Sequence, residues 1–146
     1  ENFSLDQTIY AQAGIPHQVR WSEFRYPRNI YREKQLFAQL GCRRGEYIFV
    51  HDDPKRNFEI DSSLLPEGYS VIKPKAGIRG FSFFDYIYII ENAAEIHCIE
   101  SSFAVLIEQL DIGVPKYVHR YARQDVIRNP KIHYTFKSDW EIISEI

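Results

Sequence analysis

Two adjacent serines stand between an apolar run and a helical pattern in the segment EIHCIESSFAVLIEQL, residues 95–110. The apolar run predicts a buried strand, and the apolar spacing from Phe103 onward predicts a helix that begins at the serines. A helix N-terminus carries about half a positive charge and free amide groups, so Ser101, Ser102 and the amides before Phe103 suit a phosphate group. In the alternative interpretation one serine is an ordinary helix cap, which leaves the other serine without a role.

A second polar group, the segment HDDPKR at residues 51–56, follows the apolar run EYIFV. Three interpretations stay open: His51, Asp52 and Asp53 could ligate a divalent metal, supply an acid or base, or form a turn in which Asp53 pairs with a following cation. No second cluster with ligand spacing occurs in the sequence, which argues against a metal. Arg56 is placed to fork onto a diphosphate, although a solvated loop arginine fits equally well.

Polar residues also follow the other predicted strands. Residues 73–75 (KPK) end one strand, and His119 and Arg120 lie near the end of PKYVHRYA, residues 115–122. Ligands of open parallel sheets bind at the carboxyl ends of the strands, so these strand ends form the candidate site. His97 shares a strand face with the glutamate two residues before it, and we predict a structural histidine that is hydrogen-bonded within the core.

The elements that must position these residues alternate between helices and strands. The alternation predicts an α/β domain, specifically a three-layer Rossmann-like domain with a mostly parallel sheet and right-handed crossovers. The segment beyond Pro130 is ambiguous between strand and helix. Predicted helices cover residues 4–13, 28–41, 82–93 and 101–110, and predicted strands cover residues 46–51, 69–74, 95–100 and 115–122.

Composition is typical of one globular domain over residues 1–146, since 45% hydrophobic and 15% aromatic residues can build a large core. The net charge of −2 gives no argument for a nucleic-acid partner. No apolar run reaches the roughly 20 residues that span a bilayer. Cys42 and Cys98 lack metal-ligand spacing, so we predict free thiols in a reducing, cytoplasmic compartment. Because the chain contains no methionine, we expect it to be processed or cut from a longer protein.

Several common nucleotide and hydrolase signatures are missing from the sequence. There is no GxGxxG after a strand, no GxxxxGK[ST] and no GxSxG. A standard dinucleotide site, a P-loop NTPase and an α/β-hydrolase nucleophile are therefore not supported.

The order of the remaining motifs resembles the C-terminal, donor-binding Rossmann-like half of the fucosyltransferase-like glycosyltransferases. More narrowly, it is similar to a group of bacterial and viral proteins with the pattern YIFVHDD..R.F.I, then ENA.EIHCI.SSFA.LI, then K.VHRYAR and a closing tryptophan. The closing residue here is Trp140, and the likeness covers most of the chain from about Trp21 onward.

The resemblance implies metal-independent transfer from a sugar nucleotide, of which GDP-linked sugars are one class, to a carbohydrate acceptor, without a cofactor. In that family an arginine-bearing loop after the first strand contacts the donor diphosphate, and a later serine pair helps to hold the nucleotide. Ser101 and Ser102 match the serine pair. The first motif departs from the family's two adjacent arginines followed by an acidic residue, which leaves Arg56 in residues 51–56 as the nearest substitute.

Under the transfer hypothesis the serines hold phosphate, Arg56 neutralises the leaving diphosphate, and Asp52 or Asp53 binds sugar hydroxyls or acts as a base. The competing hypothesis is a non-catalytic module for a sugar nucleotide or phosphometabolite, because one domain of this size supplies one wall of a two-domain cleft. A metal-dependent phosphoesterase is the least favoured hypothesis. The predicted site residues are His51, Asp52, Asp53, Arg56, Ser101, Ser102, Phe103, His119 and Arg120.

Overall fold

Five parallel strands form the centre of the fold in the computed structural model, which describes residues 3–75 and 78–146. The order across the sheet is β2-β1-β3-β4-β5, and every neighbouring pair is parallel. The predicted α/β class is thereby confirmed. The strands are β1 (Tyr47–His51), β2 (Ser70–Ile72), β3 (Glu95–Cys98), β4 (Lys116–His119) and β5 (Trp140–Ile143).

The continuous apolar run after Glu46 becomes the central strand β1. Its residues Tyr47 to Val50 are at most 1% exposed. Tyr47 and Phe49 belong to one apolar cluster, whereas Ile48 and Val50 belong to a second cluster on the opposite face. Because successive side chains of a strand point to opposite faces, a strand covered on both sides has no polar alternation in its sequence.

Both faces of the sheet are covered, which gives the three-layer, Rossmann-like arrangement, but the two covering layers differ. Leu36, Ile90 and Ile107 from three helices pack into the larger cluster on one face. The other face is covered by irregular chain that includes Ile60 and by a 3₁₀ turn, Arg120–Ala122. The helices are α1 (Leu5–Gln12), α2 (Val19–Ser22), α3 (Ile30–Gln39), α4 (Ile87–Glu91), α5 (Ser102–Gln109) and α6 (Gln124–Arg128).

Some predicted boundaries differ from those in the structure. The predicted strand 115–122 ends at His119, and Arg120 begins the 3₁₀ turn in which Arg123 N donates to Arg120 O at 3.0 Å. The predicted helix 82–93 begins as a 3₁₀ turn, Phe83–Tyr86, behind a capping box made by Ser82. The ambiguous tail supplies the edge strand β5, which pairs with the preceding strand β4.

The start of the described chain contacts residues 133–135, the segment that precedes β5. Leu5 N donates to His133 O at 3.1 Å, and Thr135 N donates to a carboxylate oxygen of Asp6 at 3.1 Å. Ser4, which caps α1, also hydrogen-bonds the Thr135 hydroxyl at 2.7 Å. The N-terminal helix is thus fastened to the segment that leads into β5.

Two predictions from composition concern the thiols and the membrane. Cys42 is half-buried and Cys98 buried, and both thiols are free, as predicted. None of the helices in the described parts of the chain has the length and apolar character that a bilayer crossing requires.

Candidate functional site

The strand order places a crevice above the carboxyl ends of β1 and β3. These two strands are neighbours in the sheet but not along the chain. After β1 the chain first forms β2, on the other side of β1, and then returns to form β3. The connections that follow β1 and β3 therefore leave in opposite directions, and in open α/β sheets ligands bind where this happens. His51 ends β1 and Ser101 follows β3, and the two side chains meet across the crevice with 2.9 Å between Nδ1 and Oγ.

The Ser101 hydroxyl has two hydrogen-bond partners, Ala104 N and His51. Its Oγ accepts the amide hydrogen of Ala104 at 3.4 Å, so Ser101 is the N-cap of α5. Its own hydroxyl hydrogen is then available to the Nδ1 atom of His51. In the tautomer in which Ser101 donates, the His51 ring hydrogen is on Nε2, where a ligand can accept it; in the other tautomer His51 Nδ1 donates to Ser101 Oγ. Ser101 is therefore a positioning residue for His51.

Burial keeps His51 neutral near pH 7. Burial lowers the pKa of its imidazole and outweighs the opposing charges of Asp52 and Asp53. The ring also packs against Phe103, with 4.7 Å between ring centroids. His51 is thus an uncharged ring that is held in position at the end of the central strand.

A cleft of about 700 Å³ lies beside His51, between the ends of β1 and β2 and the start of the segment that leads into α4. We call it the strand-end cleft. Lys55 and Lys75 bring two positive charges to it, and Asp52 and Asp53 bring two carboxylates, of which Asp52 is paired with Lys73. Aromatic rings form much of the opposite wall. They belong to Phe81, Phe83, Tyr86 and Phe103.

The two aspartates after β1 have different environments. The side chain of Asp52 is 2% exposed, and its two oxygens accept from Lys73 Nζ at 3.0 and 2.9 Å. One of them also accepts from Ile60 N at 3.2 Å, so Asp52 holds the loop in place. Asp53 is more exposed and pairs with Arg56 Nε at 2.7 Å. The hydrogen bond from Arg56 lowers the pKa of Asp53.

Arg56, the expected diphosphate contact, lies outside the residues that line the cleft. Its side chain is exposed, pairs with Asp53 and lies over the ring of Phe58, with 5.2 Å from Cζ to the ring centroid. The 3₁₀ turn Pro54–Arg56 turns it away, and Lys55 lines the cleft. The turn interpretation of residues 51–56, with Asp53 paired to a following cation, describes this segment.

The two serines have different surroundings: Ser101 contacts His51 and caps α5, whereas Ser102 lines a cavity. Ser102 is exposed and lines a second cavity of about 460 Å³ along the face of α5, which we call the helix-face pocket. The two cavities share Phe83, whose ring lies 4.5 Å from that of Phe103 between centroids. The structure therefore does not place Ser101 and Ser102 around one phosphate.

His119 is placed in the core rather than in the strand-end cleft, as part of a chain of hydrogen bonds. Its side chain has 0% exposure. His97 Nδ1 lies 2.9 Å from His119 Nε2, and His119 Nδ1 lies 3.1 Å from the Tyr121 hydroxyl. His97 also contacts Glu95 at 3.1 Å, and Asp61 N donates to Tyr121 at 2.9 Å. The predicted structural role of His97 agrees with this network.

Arg120 likewise makes an internal ion pair. Its Nη2 donates to Glu100 Oε1 at 2.8 Å, and Glu100 is fully buried. Arg123 donates to the Glu100 carbonyl. A buried carboxylate needs a positively charged partner. Arg120, which follows β4, supplies that partner to Glu100, which follows β3.

Residues 3–75 and 78–146 contain no group of three or more His, Cys, Asp or Glu side chains that could hold a metal ion. Asp52 already faces Lys73, so the HDD segment does not offer converging ligands. Comparisons with protein-family models, curated proteins and solved structures find no match to the chain. The geometry described above is therefore the basis for a functional proposal.

Three features of this region are absent from the predicted site residues. Lys75 follows a recognised strand end, so its position was a usable signal, but nothing in the sequence distinguished it from Lys73. The sequence around the aromatic wall has the apolar spacing of a buried helix face, so the pattern gave no sign of a cleft. The helix-face pocket gave no signal, because it forms only when α1 and α2 pack against α5.

Proposed function

We propose that this chain is a glycosyltransferase-like domain that binds a nucleoside-diphosphate sugar in the strand-end cleft, with its diphosphate near Lys55 and Lys75. The observation that carries the proposal is the combination of two lysines, a neutral His51 and an aromatic wall around a cleft at the carboxyl ends of β1 and β2. Lysine ammonium groups and an imidazole N–H are suitable donors for phosphate oxygens. Sugar and base rings pack well on aromatic surfaces.

Transfer to a carbohydrate acceptor would use the same charges. As the bond to the sugar breaks, negative charge grows on the leaving diphosphate, and fixed positive groups stabilise that charge. Lys55 and Lys75 take the role that the sequence assigned to Arg56. Asp53 is the carboxylate of the cleft that can contact sugar hydroxyls, whereas Asp52 is occupied by Lys73.

A specific observation favours the second candidate, a binding module without catalysis. Asp53 is paired with Arg56, which lowers its pKa. A carboxylate whose pKa is lowered is a weaker base, so it is less suited to activate an acceptor hydroxyl. Under this alternative the cleft binds the nucleotide sugar and leaves it intact.

Thermal unfolding with GDP, UDP, ADP and GDP-linked sugars tests nucleotide binding, because a ligand of the folded state raises Tm. The expected result is stabilisation by at least one nucleotide that persists in EDTA. If none of these nucleotides raises Tm, the proposal is contradicted. Release of free nucleotide from the donor, measured with a carbohydrate acceptor, then separates the transferase from the binding module.

The substitution Lys75→Ala tests the location of the diphosphate. Loss of one charge-assisted hydrogen bond, about 1.5–3 kcal/mol, should weaken the nucleotide that stabilises the wild type by roughly 10- to 150-fold in calorimetry. Lys131→Ala is the matched control, since Lys131 is exposed and does not line the cleft. Equal affinities for the two variants would remove Lys75 from the site.

A further inference from the structure

The helix-face pocket contains a buried cation with an unused donor. Arg20 on α2 is 6% exposed and lines this pocket. Within the described residues, its Nη2 atom is buried and has no hydrogen-bond partner. A buried guanidinium N–H without an acceptor is costly. Glu100 Oε2 and Arg120 Nε are also buried and unpaired, but Arg20 differs from them in lining this pocket, where a ligand could supply the acceptor.

The rest of the Arg20 guanidinium is fully engaged, which fixes its position. Nη1 donates to the Asp6 carboxylate and to Thr135 O, the latter at 2.8 Å. The Gln109 side-chain amide is oriented so that its nitrogen donates to Arg20 O at 2.8 Å and its oxygen accepts from Arg20 Nε at 3.2 Å. The guanidinium also lies 4.9 Å from the Trp21 ring centroid. Nη2 is thus the donor that remains for a ligand.

Charge and wall chemistry define the class of ligand. Asp6 already balances the charge of Arg20, so the ligand needs an acceptor atom and no negative charge. The walls are mostly apolar and aromatic, which suits a flat ring rather than a sugar whose every hydroxyl requires a polar partner. The aromatic residues of the wall are Tyr10, Phe24, Phe83, Phe84 and Tyr134.

We infer that the helix-face pocket binds the nucleobase of the nucleotide, with a base carbonyl or ring nitrogen accepting from Arg20 Nη2. This inference rests on the proposed function, which places the diphosphate in the adjoining strand-end cleft. Phe83 lines both cavities, and in this arrangement one nucleotide spans them across its ring. The exposed Ser102 hydroxyl lies on the same pocket and is a second polar contact for the base or its ribose.

NMR titration of the full chain with guanosine, adenosine, uridine and inorganic pyrophosphate tests the inference. Nucleosides carry the base without phosphate, and pyrophosphate carries the phosphates without a base. The expected result is that at least one nucleoside binds at millimolar concentration and shifts the signals of Gln109 and Val105, which line the pocket. Pyrophosphate should instead shift Lys55 and Lys75.

The substitution Phe84→Ala removes one wall of the pocket with little risk to folding, because Phe84 is 43% exposed. Loss of a stacking ring should weaken the nucleoside at least about fivefold and leave pyrophosphate binding unchanged. Phe3→Ala is the matched control, since Phe3 is 47% exposed and does not line the pocket.

The outcomes separate this inference from the proposed function. Binding of pyrophosphate without any nucleoside, or nucleoside affinity that is equal in the two variants, overturns the nucleobase site and leaves the diphosphate cleft standing. Binding of a nucleoside that depends on Phe84, without binding of pyrophosphate, supports the nucleobase site and contradicts the diphosphate cleft.

Discussion

At the scale of single residues, the two serines show how neighbours of one type acquire different roles. Ser101 faces its own helix and His51, whereas Ser102 faces a separate pocket. The sequence correctly located a helix start at this point. It could not say which hydroxyl would be the cap, because that depends on the backbone angle at which the chain leaves β3.

The substitution Ser101→Ala should lower the free energy of unfolding by about 1 kcal/mol, because α5 loses its N-cap. It should also weaken ligand binding in the strand-end cleft, because His51 loses the partner that fixes its ring. Ser102→Ala is the matched control one residue later, where we expect a change within about 0.5 kcal/mol. Urea unfolding of both variants measures the difference, and equal stabilities would contradict the capping role.

At the scale of elements, the strands and helices of the core were predictable and the irregular parts were not. β1 is a continuous apolar run, β3 alternates polar and apolar residues, and α3 and α5 have clear apolar spacing, so each was found near its actual bounds. The strand β5 was not distinguishable because WEII is a short apolar segment whose pairing with β4 is decided by tertiary contacts. Residues 120–122 were assigned to a strand because their apolar pattern continues that of β4.

The carboxylate of Glu108 joins α5 to the tail that forms β5. Glu108 is buried and accepts from the indole nitrogens of Trp21 and Trp140 at 3.1 and 2.8 Å. It also accepts from the backbone of Lys137 and from the backbone and hydroxyl of Ser138. Burial alone would raise the pKa of Glu108, but the hydrogen bonds from Ser138, Lys137 and Trp140 outweigh it and lower the pKa.

The substitution Glu108→Ala should therefore lower the free energy of unfolding by about 3 kcal/mol, since it leaves several buried donors without an acceptor. Glu145→Ala, at an exposed position near the chain end, is the control and should be close to neutral. Guanidinium unfolding compares the two variants. A small, equal effect would show that the tail does not depend on this carboxylate.

At the scale of the whole molecule, the strand order decides where the site lies. The sequence indicated which strand ends are polar, but it did not indicate that β1 and β3 are neighbours. That arrangement depends on the direction of each crossover, which local patterns do not encode. His51 and Ser101 could therefore be named as candidates from the sequence, whereas their contact could not be foreseen.

The buried histidine pair should make global stability depend on pH. Burial and the nearby His97 lower the pKa of His119 to about 4, and burial also lowers the pKa of His97. Glu95, Asp52 and Tyr121 are the other ionisable groups that face the pair. In the unfolded chain both histidines titrate near 6.5, so the unfolded state binds protons first on acidification.

The free energy of unfolding should consequently fall as the pH drops from about 6.5 towards 4, by an amount on the order of 3 kcal/mol for His119. Urea unfolding at several pH values measures the loss. NMR titration of the His119 ring measures its cause directly. A ring that titrates with a midpoint near 6.5 would contradict the buried neutral pair.

The contact between α1 and residues 133–135 has a consequence for how the molecule opens. The hydrogen bonds of Ser4, Leu5 and Asp6 tie the beginning of the described chain to a segment more than a hundred residues later. Neither segment can detach without breaking bonds of the other, so we expect α1 and residues 133–135 to open as one cooperative unit. A ligand bound in the helix-face pocket, which residues of both segments line, would stabilise this unit and slow the opening of α1 and of residues 133–135 together.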